Sequence, residues 1–436
     1  MPTPTVRTAC RLASAALLAC LVYALGVSGC SSRESGDDGV GPITFSGIAD
    51  LTYGHQVTNA VGRWNREHPN QHVRYIEQTD SADEQRAQLI ATAQGSHECY
   101  DVHSLDVVWT AEFARGHLVV PLDAHESRAY GIRKDLFVPA AWASGRYRNQ
   151  QWAVPFLVNT PLLLYRKDIL DAERLLPPTS LNEMISQIKL INKRRATAGQ
   201  PPVGGFGGQF ARYEGLTVNA LEIIRSLGGD LAAGPDTPLS EPDDIGAALR
   251  LLAAGTEAGT EAGGWLPQET LTDREQGSRD AFTQGQLLFL RNWPYAYKLV
   301  TAAGSPLAGK VGVVPLPWSG VLGGHNLAVS TCSRHRATAW SFISYMTTNR
   351  DIQSAMFRDG GYPAALLAVY SDHEDEFGRA VVSSLKGAGT RPISPYYAAV
   401  SGTIQDAVHS VLTHERTPAE AVAFLQQQLP DALHGG

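Results

Sequence analysis

From residue 42 onward the chain keeps switching between two hydrophobic periods, and this alternation limits its fold more than any other feature. Extended runs occur at 42–45, His72–Glu77, Asp101–Val108 and Leu162–Tyr165. Between them Val57, Ala60, Val61 and Trp64 recur at helical spacing and make one apolar stripe. Ser81-Ala82-Asp83-Glu84 has the form of a capping box, in which serine and glutamate satisfy free amides at a helix start, and Gly95 suits the end of that helix. Ser180-Leu181-Asn182-Glu183 repeats the box and opens a helix to about Lys193. Further helices are expected near 214–227, 243–258, 275–285, 334–348 and 417–428. Such alternation predicts layered α/β domains with largely parallel sheets. At 436 residues the chain has room for two of them. Gly255–Gly264 (GTEAGTEAGG) reads as a surface loop, and no longer repeat is present.

The first thirty residues follow a different rule. Arg7 and Arg11 precede an uncharged Ala/Leu-rich run, Leu12–Val27, which ends in Ser28-Gly29-Cys30. A basic start, an apolar core and small residues before a cleavage point are the layout of an export signal. The cysteine directly after them makes the segment resemble a bacterial lipoprotein signal. That resemblance implies cleavage of residues 1–29, lipidation of Cys30, and a lipid-anchored protein on the extracytoplasmic face of the cell membrane. The competing reading is an uncleaved membrane helix. Residues 30–41 are short and polar, as a flexible tether would be. Two basic residues leave with the signal, so the net charge moves from −7 to about −9. A chain this acidic offers no overall electrostatic grip on nucleic acid. The longest later uncharged stretch, Val311–Ser333, holds Pro315, Pro317 and several glycines and cannot span a membrane as one helix.

Six blocks then carry a family resemblance: LDVVWTAEFA (105–114), P-F-x-x-NT-x-LLLYRKD (155–168), YEGLTVNALE (213–222), NWPYAY (292–297), GGHNLAVS (323–330) and RPISPYY (391–397). Their order resembles the extracellular solute-binding proteins of sugar ABC importers, the maltose-binding-protein-like family, over nearly the whole mature chain. Within it the blocks look most like the actinobacterial trehalose-binding lipoproteins. The resemblance implies an α/β, two-lobed periplasmic-binding-protein-like fold with a hinge and an interlobe ligand cleft. It implies a first lobe of 42–156 plus 325–371 and a second of 157–324 plus 372–436. Crossings would fall near Pro155–Asn159, Pro317–Gly324 and Ser371–Gly389. It further implies a non-enzymatic monomer that needs no cofactor or metal, closes on a disaccharide, and delivers it to the integral-membrane permease subunits of an importer.

Of the five cysteines, Cys10 and Cys20 leave with the signal and Cys30 is the lipidation site. Cys99 and Cys332 remain, either as a disulfide in an oxidising compartment or as two buried thiols. The implied fold puts both in one lobe, which favours the bridge.

A sugar offers many hydroxyls on rings with apolar C–H faces, so its site needs aromatic planes and forked or ionised hydrogen-bonding groups. Asp106 follows strand residues and can sit at a strand's carboxyl end, where α/β clefts bind ligands; its alternative is a helix cap. Glu112 reads as a first-turn charge suited to the helix dipole. Asn159 both donates and accepts, or serves as a hinge turn. Glu214, between Tyr213 and Gly215, is a cleft carboxylate or an N-terminal cap. Trp293 and Tyr295 flank Pro294, which breaks a helix; extended geometry would turn both rings to one side for stacking. Gly323 and Gly324 can bring backbone against a ligand or simply make a turn. Arg391, extended before Pro392, has a five-donor fork for sugar oxygens or for an interlobe salt bridge. At His325 many relatives would carry an aromatic such as Trp.

Other chemistry is poorly supported. Pro69 spoils a shared helical face for His68 and His72, so a zinc pair is not expected. The Gly204–Gly208 cluster lacks the context of a nucleotide fingerprint, and no G-x-S-x-G elbow occurs. Asp106 with Glu214 could form a glycosidase pair, and Arg212 with Arg391 keeps a glycerophosphodiester ligand in view. As a ligand contact, Asp106 should be replaceable by Ala with loss of sugar binding and little loss of thermal stability.

Overall fold

The computed structural model describes residues 39–94, 99–231, 241–257, 264–318, 320–372 and 375–435. The export signal, Cys30, most of the tether, Gly95 and the centre of the 255–264 loop lie outside the described residues. No helix among the described residues is long and apolar enough to cross a membrane.

Two sheets organise the body. The first runs β2-β1-β3-β11-β6 and the second β10-β7-β9-β8. In chain order the strands are β1 (Ile43–Gly47), β2 (Val73–Glu77), β3 (Val102–Asp106), a short hairpin β4 (Arg146–Tyr147) and β5 (Gln150–Gln151), β6 (Val154–Asn159), β7 (Leu162–Arg166), β8 (Gly204–Gly207), β9 (Leu287–Asn292), β10 (Val311–Pro315) and β11 (Gly323–Val329). The central strands are buried on both faces and read as continuous apolar runs, as in LLLYR of β7. Helix Gln56–Glu67 buries the expected stripe, Val57, Ala60, Val61 and Trp64, in the first lobe's core with Phe45 and Phe342. The second lobe's core lies between its sheet and helices Leu181–Thr197, Glu214–Ser226, Pro242–Thr256, Tyr397–Leu412 and Pro418–His434. The last of these has a complete capping box on Thr417 and Glu420. At Ser180 half of the box forms: its hydroxyl accepts from the Glu183 amide at 3.1 Å, but the Glu183 carboxylate turns to Thr179.

The sheets are mixed, not largely parallel. β1–β2, β1–β3 and β8–β9 run parallel; β3–β11, β6–β11, β7–β10 and β7–β9 run antiparallel. Within these two sheets every antiparallel pairing involves β7 or β11, the strands that receive the chain just after it changes sheet. A strand that enters its sheet from the other lobe runs against its new neighbours, and strand-by-strand reading cannot register that return.

Two of the expected lobe boundaries also move. β6 stays in the first sheet through Asn159, and β11 joins it from Gly323, because these residues pair with each other. The crossings therefore lie at 160–161 and 316–322, and the cuts at 156/157 and 324/325 fall inside strands. The third crossing falls between 366 and 376, an interval that contains the expected cut at 371/372. Residues 363–366 still bond to β6 and to 137–138, whereas helix Glu376–Gly387 already lies on the second sheet. Cys99 and Cys332 form a disulfide with Cα atoms 5.9 Å apart, at the end of β3–β11 remote from the crossings.

Candidate functional site

The crossings draw the opposite end of the first sheet into the groove between the sheets. Asp106 ends β3, Asn159 ends β6, and β11 begins at Gly323-Gly324-His325. In register, Gly323 faces Asn159 and His325 faces Asp106, so three separate sequence blocks meet along one sheet edge. The second lobe contributes helix starts and one strand end: Glu214 opens Glu214–Ser226, Glu275 opens Glu275–Thr283, and Trp293 follows β9. Together with Arg391, Tyr213, Tyr295 and Tyr362 these residues line one cleft. All eight ligand-binding candidates from the sequence therefore line one groove.

Arg391 is the bridge across it. Its Nη2 donates to Asp106 Oδ1 at 2.8 Å and its Nη1 to Glu214 Oε1 at 2.6 Å, with the side chain almost fully buried. This is the interlobe salt bridge weighed against ligand contact. Burial alone would lower the guanidinium's proton affinity; Asp106, Tyr397 and Glu214 outweigh it and raise it, so the cation is permanent. Glu214 also accepts from Tyr397 Oη (2.6 Å) and Ser401 Oγ (2.5 Å), while its amide donates to Asp83 of the first lobe at 3.2 Å. Burial pushes the Glu214 and Asp83 carboxyls above the usual range, against the pull of the neighbouring arginines. Asp106, pinned by Arg391, is part of the interlobe frame. The expected stability-neutral Asp106→Ala is thereby corrected: it would leave a buried cation short of one counter-ion.

Among the described residues, the buried polar atoms of the groove's lining residues without a partner within the protein include Asn159 Oδ1, His325 Nδ1 and Arg391 Nε, together with Gln85 Oε1 and Tyr295 Oη. Burial holds the His325 ring below its ordinary proton affinity, Arg391 adds to this, and Asp106 opposes it. The ring is thus neutral at pH 7 and offers one donor and one acceptor.

The aromatic wall differs from expectation. Pro294 does not break a helix; with φ −56° and ψ −31° it already has helical geometry immediately before helix Tyr295–Val300, so its fixed φ suits the start of that helix. Trp293 and Tyr295 are therefore not presented side by side along an extended strand. Tyr295 is buried edge-on against Tyr362, with ring centroids 5.6 Å apart. Trp293 remains half-buried on the cleft, its indole Nε1 donating to Glu275 Oε1 at 3.3 Å.

The glycines serve closeness of packing. A Cβ on Gly323 would stand 2.9 Å from the Trp293 ring, and one on Gly324 2.2 Å from the Leu157 carbonyl oxygen. Gly324 also has φ 124°, in the region that L side chains rarely adopt. Glu112 forms a two-bond ion pair with Arg86, and Arg212 pairs with Asp406, outside the cleft.

Sequence reasoning missed Glu275, which accepts from Tyr213 Oη at 2.7 Å and is raised in pKa by burial. It also missed the Glu222–Arg291 pair beneath Trp293. Glu222 closes the YEGLTVNALE block and Arg291 directly precedes NWPYAY, so charges inside apolar runs were the available signal.

The bacterial extracellular solute-binding protein family matches residues 49–352, and the chain belongs to it. A probable ABC transporter-binding protein of Deinococcus radiodurans is 30% identical over 348 residues, 76% of this chain and 79% of its own. A maltotriose-binding protein of Pyrococcus abyssi is 25% identical over 352 residues, covering 74% of this chain and 68% of its own. The maltose-bound MalE3 of T. maritima superposes with a TM-score of 0.79 at 27% identity, over 89% of this chain and 98% of that one. The protein is thus an extracytoplasmic binding protein with the two-lobed fold, and not an enzyme.

Proposed function

We propose that this chain captures a disaccharide of the trehalose or maltose type between its lobes and delivers it to the permease of an ABC importer. It does so as a monomer held to the membrane by a lipid on Cys30. The observation that carries the reading is the convergence of Asn159 Oδ1, His325 Nδ1 and Arg391 Nε on a groove walled by the Trp293 indole. An unsatisfied buried polar atom costs about 1–3 kcal/mol, so hydroxyls that reach such atoms bind with real gain. An indole face suits the apolar side of a pyranose. Lobe closure follows if the sugar contacts both lobes, because it then binds the closed form better than the open one.

The lining charges speak for a neutral guest. Asp80, Asp106, Glu214 and Glu275 face one permanent cation, Arg391, which two of them already engage. An anionic solute such as a glycerophosphodiester would meet net repulsion there. Calorimetry of the mature chain against trehalose, maltose and glycerophosphoglycerol, a phosphodiester with a net negative charge, tests the reading. Saturable binding of a disaccharide and none of the phosphodiester is expected; the reverse pattern overturns it.

A further inference from the structure

The Glu222–Arg291 pair is buried beneath Trp293 and does not line the cleft, yet its contacts run to two working parts of the protein. Arg291 Nε and Nη2 donate to Glu222 Oε2 and Oε1 at 2.9 and 2.6 Å, and Nη1 donates to Gln209 Oε1 at 2.8 Å. Both side chains are 2% exposed or less. On one side the guanidinium carbon sits 4.2 Å from the centre of the Trp293 ring, within cation–π range. On the other, Glu222 Oε1 also accepts from the Val321 amide at 3.2 Å, in the 316–322 segment that returns the chain to the first lobe. Two residues later Gly323 lies against the edge of the same Trp293 ring.

We propose that Glu222 and Arg291 are positioning residues for ligand capture. The pair locks the stacking ring and the return crossing into one rigid unit, so that a guest on Trp293 and the hinge move together. A lone buried pair adds little stability that an apolar replacement could not, so its multiple contacts at the cleft point to geometry instead. This inference rests on reading the cleft as a disaccharide site.

The test replaces both charges with apolar groups, Glu222→Leu with Arg291→Met, and adds Trp293→Phe to this variant and to the wild type. The difference in near-ultraviolet circular dichroism between each protein and its Trp293→Phe partner isolates that indole without any ligand. We expect the double variant to fold, its Trp293 difference signal to collapse, and its affinity for maltose or trehalose to fall at least tenfold. An unchanged difference signal, or unchanged affinity in a protein that still binds, overturns the proposal. Arg291→Lys keeps a cation but loses the planar fork. It should lose part of the signal, and it decides the matter if the double variant does not fold. Should the wild type bind neither sugar, the functional reading fails while the ligand-free spectra still judge the positioning role.

Discussion

The two walls of the cleft are built by opposite means. The first lobe presents a sheet edge, where Asp106, Asn159, Gly323, Gly324 and His325 are placed by strand register and two of the side chains keep unpartnered atoms. The second lobe presents helix starts whose carboxylates are already engaged: Glu214 by Arg391, Tyr397 and Ser401, Glu275 by Tyr213 and Trp293. The first wall is therefore poised to make hydrogen bonds to a guest. The second holds a ring and a field in place.

If that division of labour is right, variants on the two walls should fail differently. Arg391→Met is the severest test, since it leaves Asp106 and Glu214 buried without their shared cation. A stability loss of about 3–5 kcal/mol is expected from urea unfolding, and a loss below 1 kcal/mol would break the view of Arg391 as the interlobe bridge. Mild acid should weaken the first lobe through a buried histidine. His103, on β3, is buried with neither ring nitrogen paired, and burial lowers its pKa to about 4. A lowered folded pKa means the native state binds fewer protons than the unfolded chain between about pH 6.5 and pH 4, so stability falls with pH across that window. The loss approaches about 3 kcal/mol and should shrink in His103→Phe, as read from unfolding midpoints along a pH series.

Smaller effects sharpen the contrast. Asn159→Ala removes an unengaged amide from the first wall and should weaken sugar binding by about 1–2 kcal/mol with little change in unfolding; calorimetry and thermal melts decide it together. Gly324→Ala strains the sheet edge through its φ and its clash with Leu157, at about 1–3 kcal/mol of stability. An alanine variant as stable as wild type would show that the edge relaxes at no cost.

Much of this protein is written locally. The apolar stripe of helix Gln56–Glu67, the Ser180 cap, the runs of β3 and β7, and the polar and aromatic character of the cleft residues follow from residue type and spacing, because short-range sterics and hydrogen bonding decide them. Other features needed chain segments far apart to meet. Register across β3, β11 and β6 put Asp106, His325 and Asn159 on one edge. The direction of the returning strands made the sheets mixed, and Pro294 started a helix once Tyr295 could pack on Tyr362. Arg391 had two roles in sequence, and only its approach to Asp106 and Glu214, 285 and 177 residues away, made it the bridge. Pairing of charges across such separations depends on tertiary distance and burial, which no local pattern encodes.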